Sequence, residues 1–198
     1  METLSTKLYN SLHTRIGKLE SRLLPPTSPI GNYSETEYDF VRGYIVLVHA
    51  EIETYLEEVA LELTNFSMRR WSTHGRVNRC LAALLLHHDR SATPLPKDMT
   101  THLNTAASAH RSAVKNNHGV REKHVWAMFS PLGIDKSEVS TSLLAELESF
   151  GSARGKVAHL SARGVLNPPD PDSTKNQASL LVSELKDFDL LCQSAKHR

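Results

Sequence analysis

A chain of 198 residues with 2 Cys, 39% hydrophobic residues and a formal net charge of +1 can bury its own core without disulfides or a structural metal. Cys80 and Cys192 stand far apart without zinc-like spacing, which points to a reducing, cytoplasmic setting. The acidic start Met1-Glu2 has no apolar run behind it, and no stretch approaches the roughly 20 apolar residues of a membrane span.

Leu4, Leu8, Leu12, Ile16, Leu19 and Leu23 recur every three or four residues, the apolar stripe of an amphipathic helix that Pro25, Pro26 and Pro29 end. Ser34-Glu35-Thr36-Glu37 is a capping box. Behind it Val41, Ile45, Val48, Ile52, Leu56, Val59 and Leu63 keep helical period for about nine turns, so a long central helix is expected. A shorter helix is predicted over 78–88 and, after a loop with Pro94 and Pro96, two more over 98–115 and 118–129. Asn117 is read as the N-cap of the second of these, and Pro131-Leu132-Gly133 as its close. Val139, Leu143, Leu144 and Leu147 face inward from a helix over 135–150, with Gly151 as its C-terminal cap. Ser152 then starts a short helix that stops near Gly164. After a proline-rich loop, a last helix carries Leu180, Leu181, Leu185, Phe188, Leu191 and Cys192. No segment alternates with period two, so the chain reads as all-α, with 1–30 an N-terminal helix and linker and 31–198 one helical domain.

With a net charge of +1, any contact with a polyanion must rest on local clusters of Lys and Arg. The segment of chemical interest is Arg154-Gly155-Lys156-Val157-Ala158-His159. RNA can be cut without a metal when one group moves the proton of the 2′-OH or of the leaving oxygen while a fixed cation stabilises the charged phosphorane. Imidazole suits the first task and guanidinium the second. Arg followed by His is a weak pattern alone, and it also occurs as Arg42/His49, Arg69/His74 and Arg111/His118. On a helical wheel Ala153, Val157, Leu160 and Gly164 share a core face, while Lys156, His159 and Arg163 form a basic stripe. Arg154 lies about 140° from His159 across an arc of Gly155, Ala158 and Ala162. The two reach one phosphate if Arg154 bends back or if a two-fold dimer sets the helix twice across one cleft. Spacing alone favours the plainer reading, a surface ion pair at Arg154 and a partly buried polar His159.

The blocks Phe40-Val41-Arg42-Gly43-Tyr44, His49-Ala50-Glu51-Ile52-Glu53-Thr54-Tyr55, Asn117-His118-Gly119 and Pro131-Leu132-Gly133-Ile134 precede Phe150 and the Arg154 to His159 segment. In order and separation they resemble the HEPN-domain ribonucleases of RiboL-PSP type over about two thirds of the chain. The resemblance implies a compact helical bundle that dimerises around a shared cleft, with an Arg-x4-6-His motif from each subunit. It also implies metal-independent, cofactor-free endoribonuclease activity, often that of a toxin or phage-defence effector, with an antitoxin or other regulatory protein as partner. Carried over, Arg154 is the phosphate-stabilising cation and His159 the acid/base. Many family members carry a polar residue directly after the Arg; here it is Gly155, and Lys156 is the residue able to take up part of that role. The Tyr that follows the motif His in nucleotidylated members is replaced by Leu160, Ser161 and Ala162.

Lys156 and Arg163 are candidates for flanking phosphates, and Asn117 and His118, ahead of Arg121-Glu122-Lys123-His124, for an RNA-facing rim. His49 and Glu53, four apart beside the apolar stripe, read either as an imidazole oriented by a carboxylate near the cleft or as an ordinary helix pair. His74, Cys80, His87 and His88 lack paired ligand spacing, so no metal is expected. Trp71 and Trp126 suit packing better than base stacking. The rival reading is a non-catalytic helical module that dimerises or binds RNA or protein.

Overall fold

The computed structural model describes residues 6–88, 98–159 and 168–198, together with the backbone but not the side chain of His159. The described residues form seven α-helices and no strand: α1 (Lys7–Leu23), α2 (Glu35–His74), α3 (Arg79–His88), α4 (Met99–Lys115), α5 (Glu122–Phe129), α6 (Thr141–His159) and α7 (Pro171–Ala195). No helix among them is long and apolar enough to cross a membrane.

The 40-residue α2 is the spine, about 60 Å long at 1.5 Å per residue. It starts at the expected capping box, where Ser34 accepts from the Glu37 N–H while the Glu37 carboxylate accepts from the Ser34 N–H. Its buried stripe runs from Val41 through Tyr44, Ile45, Val48, Ile52, Leu56 and Val59 to Leu63. All the other helices pack against it. It outruns the apolar pattern by about three turns and stops at Gly75, whose φ of 63° is the left-handed conformation that glycine adopts without a Cβ penalty.

Helix α1 is fixed to α7 by a buried carboxylate. Asp189, 1% exposed, accepts from the Thr6 N–H at 2.8 Å, the Thr6 hydroxyl at 2.7 Å and the Tyr55 hydroxyl at 3.1 Å. A buried polar group is tolerable only with hydrogen-bond partners of this kind.

Two expected boundaries are corrected. Gly151 does not cap a helix. A 3-10 turn at Lys136–Glu138 comes first, and α6 then runs unbroken from Thr141 through Gly151 to His159. Asn117 does not cap α5, which begins at Glu122 with Arg121 at its N-cap and no side-chain cap. The expected stop at Gly164 lies outside the described residues.

Candidate active site

The site is built where α6 crosses the first half of α2. Helix α6 can pass close to the α4–α5 connection because residue 151 is glycine: a Cβ there would lie 2.6 Å from Arg121 Cγ and 3.5 Å from Val120 Cγ2. One turn on, Arg154 reaches a cleft of about 400 Å³ lined by His49 and Glu53 of α2, His118, Gly119, Val120 and Arg121 of the α4–α5 connection, His124 of α5 and Gly151. The end of α6 is also held to α2, since Arg42 donates to the Val157 carbonyl at 3.1 Å.

Arg154 Nε is buried and has no hydrogen-bond partner among the described residues. A buried guanidinium N–H left without an acceptor costs free energy, and an anion in the cleft would supply one. Two of the imidazoles around it, His49 and His124, are biased towards neutrality. Burial pushes the His49 pKa below the ordinary value; Glu53 opposes this, and the charge of Arg154 adds to it. Glu53 Oε2 stands 3.6 Å from His49 Nδ1, a charge contact too long for a hydrogen bond. The His124 pKa is also lowered, by burial first and then by Lys123.

The tautomer of His124 follows from its contacts. Asn117 Nδ2 donates to the His124 carbonyl at 2.9 Å, which turns Asn117 Oδ1 towards His124 Nδ1, also at 2.9 Å. An amide oxygen only accepts, so Nδ1 carries the proton and the neutral ring keeps its lone pair on Nε2. Gly119 makes room for that ring. Its φ is 130°, and a Cβ would meet His124 Cδ2 and Nε2 at 3.1 Å. The cleft thus combines two guanidiniums, Arg154 and Arg121, two imidazoles of lowered pKa, His49 and His124, and the Glu53 carboxylate beside one of them.

Of the residues expected from sequence, Arg154, His49, Glu53 and His118 come together here. Asn117 sits behind the cleft, engaged with His124. Lys156 is exposed on α6 and is not among the lining residues, and the His159 side chain and Arg163 lie outside the described residues. In sequence, His124 and Arg121 stand out only as members of the basic turn after Asn117 and His118, and nothing there marks Gly119 or Gly151 as part of a site. Their signal is tertiary: Asn117 with His124, and Gly151 against Arg121. The Arg121 charge is spent on an ion pair with Glu148.

As for metals, His74, Cys80, His87 and His88 do not converge; Cys80 is buried and contacts the Ala195 carbonyl. One donor atom each from Glu53, Glu57 and His118 lie within 4.8 Å of one another. The Glu57 pKa is raised by burial and by Glu53. Two carboxylates one turn apart answered by an exposed imidazole is an ordinary surface arrangement, and no metal is assigned to it.

Neither the curated proteins nor the solved structures contain a match to this sequence. The family model described as RiboL-PSP-HEPN matches residues 10–193, nearly the whole chain, and the chain therefore belongs to the RiboL-PSP-HEPN family.

Proposed function

We propose that the protein is a metal-independent HEPN endoribonuclease, a toxin or defence effector in type, that cuts RNA by attack of the 2′-OH on the adjacent phosphate. The observation that carries the reading is Arg154, whose Nε is buried without a partner among the described residues, in the lining of a cleft it shares with His49 and His124. In the reaction the 2′-oxygen bonds to phosphorus and the 5′-oxygen leaves, giving a 2′,3′-cyclic phosphate and a 5′-hydroxyl. A base takes the 2′-OH proton and an acid supplies one to the leaving oxygen.

Arg154 stabilises the negative charge that builds on the non-bridging oxygens, an effect strongest where water is excluded. His159, the motif histidine, serves in proton transfer. The second proton-transfer group comes either from the partner's copy of the motif in a two-fold dimer or from the imidazoles around Arg154. His49, held neutral beside Glu53, and His124, with Nε2 unprotonated, both suit the base role. His118 and Asn117 line or support the entry, and Lys156 and Arg163 hold flanking phosphates.

The test is cleavage of RNA in EDTA by wild type, His159→Ala and Arg154→Ala. The expected loss is about 100-fold or more for each variant, in line with removal of an acid/base or oxyanion-stabilising group, with cyclic-phosphate ends in the wild-type products. Full activity in Arg154→Ala would remove that residue from the mechanism. RNA binding without strand scission by the wild type would replace catalysis with a binding role.

A further inference from the structure

The far end of α2 carries a second cationic site. A groove of about 390 Å³ is lined by Phe66, Arg69, Arg70, Thr73, His74, Arg76 and His197. Three are guanidiniums, two are imidazoles, and none is a carboxylate. On a chain whose net charge is +1, such clustering is not a sample of the average surface.

Two separate stretches of chain hold the groove in shape. Asn78 Nδ2 donates to Ser67 Oγ at 2.9 Å and to the Lys196 carbonyl at 3.3 Å, and the Arg79 N–H donates to the Arg198 carbonyl at 3.0 Å. His197 is thereby set edge-on against Phe66, with ring centroids 5.7 Å apart. Acidic groups near by are engaged elsewhere: Glu62 takes the Lys196 ammonium, and Glu138 takes Arg79 and Arg198. Among the described residues no carboxylate pairs with Arg69, Arg70 or Arg76. Arg70 makes only a long contact, 3.4 Å, to the Lys196 carbonyl.

Basic residues at a helix C-terminus offset the macrodipole, but that dipole is worth about half a charge and fades within the last turn. Arg69 and Arg70 precede the last turn of α2 and Arg76 follows its cap, so three guanidiniums exceed that need. A guanidinium fork suits the paired oxygens of a phosphate, and a row of forks suits a chain of phosphates. Arg69 lies sixteen residues beyond Glu53 on the same helix, or about 24 Å along it. The groove is therefore separate from the Arg154 cleft, with which it shares no lining residue.

We propose that this groove binds the phosphate backbone of single-stranded RNA outside the Arg154 cleft and anchors long substrates. The identity of the polyanion rests on the nuclease reading; the anion site itself does not. The probe is a fluorescent, fully 2′-O-methylated RNA oligonucleotide, which lacks the attacking hydroxyl and cannot be cut. Its affinity is measured by anisotropy over a range of salt concentrations for wild type, Arg69→Ala/Arg76→Ala and Arg69→Lys/Arg76→Lys. Each lost phosphate contact removes about 0.7 from the slope of log affinity against log salt, so the Ala pair weakens binding and flattens the slope by about 1.4, while the Lys pair keeps the wild-type slope. Unchanged affinity and slope in the Ala pair would overturn the inference. So would equal loss in both pairs, which would make the effect one of packing, or loss of polyglutamate binding with RNA binding intact, which would make the ligand an acidic protein. Because the probe is inert, absence of RNA cleavage by the wild type would sink the nuclease reading and leave this measurement standing.

Discussion

His110 shows how a single buried side chain ties stability to pH. It is 0% exposed; Nε2 lies 2.8 Å from the Met128 carbonyl and Nδ1 lies 2.9 Å from Thr64 Oγ1. A carbonyl only accepts, so Nε2 is protonated, and in the neutral ring Nδ1 accepts from the Thr64 hydroxyl, whose single proton it shares with the Ala60 carbonyl 2.9 Å from Oγ1. Burial lowers the His110 pKa below the ordinary value, the Met128 hydrogen bond opposing it and His88, His87 and Arg111 assisting. The sign follows from linkage. Below the ordinary value, about 6.5, the unfolded chain takes up a proton that the folded one refuses, so stability is fully present above that pH and is lost as pH falls towards the folded value. His110→Leu, which removes the donor, should cost about 1–3 kcal/mol at pH 8 through the unmet Met128 carbonyl. The gap to wild type in chemical denaturation should narrow as the pH is taken below about 6.5. A gap independent of pH would show that His110 does not titrate with folding. Nothing in the sequence distinguishes this histidine from the other ten, because its partners lie 46 and 18 residues away.

At the scale of elements, what is local in sequence is also legible there. The capping box at Ser34 and Glu37 and the stripe from Val41 to Leu63 involve neighbours on one helix, and both are found as read. Gly151 and Asn117 mislead for the same reason as each other: their partners are tertiary. Glycine after an amphipathic run usually ends a helix, but this one is used where α6 passes Arg121 and Val120. Asparagine before a helix usually caps it, but this one is spent on both ends of His124. Gly151→Val should therefore destabilise the fold by about 1–3 kcal/mol, since a β-branched side chain overpacks the crossing. It should also reduce RNA cleavage by displacing Arg154 from the cleft. A melting temperature and activity equal to wild type would mean the crossing is loose enough to absorb the side chain.

At the scale of the whole molecule, the all-helical class and the family were legible because apolar period and block order survive as one-dimensional patterns. The cleft was only partly so, since it joins α2, the α4–α5 connection and α6 across about a hundred residues of sequence. The face of α6 beside it bears on assembly. Val157 packs on the core, whereas Ala158 is exposed and a Cβ on Gly155 would touch nothing within 4 Å among the described residues. Small residues on an open helical face allow a second helix to approach closely, and an isologous contact there would set two motif helices across one cleft. Light scattering should then return twice the 22.1 kDa chain mass for the wild type and a smaller mass for Ala158→Leu, whose longer side chain would hold the helices apart. An Ala158→Leu protein of unchanged mass would place any dimer contact on another face and leave the single-chain cleft to supply both proton-transfer groups.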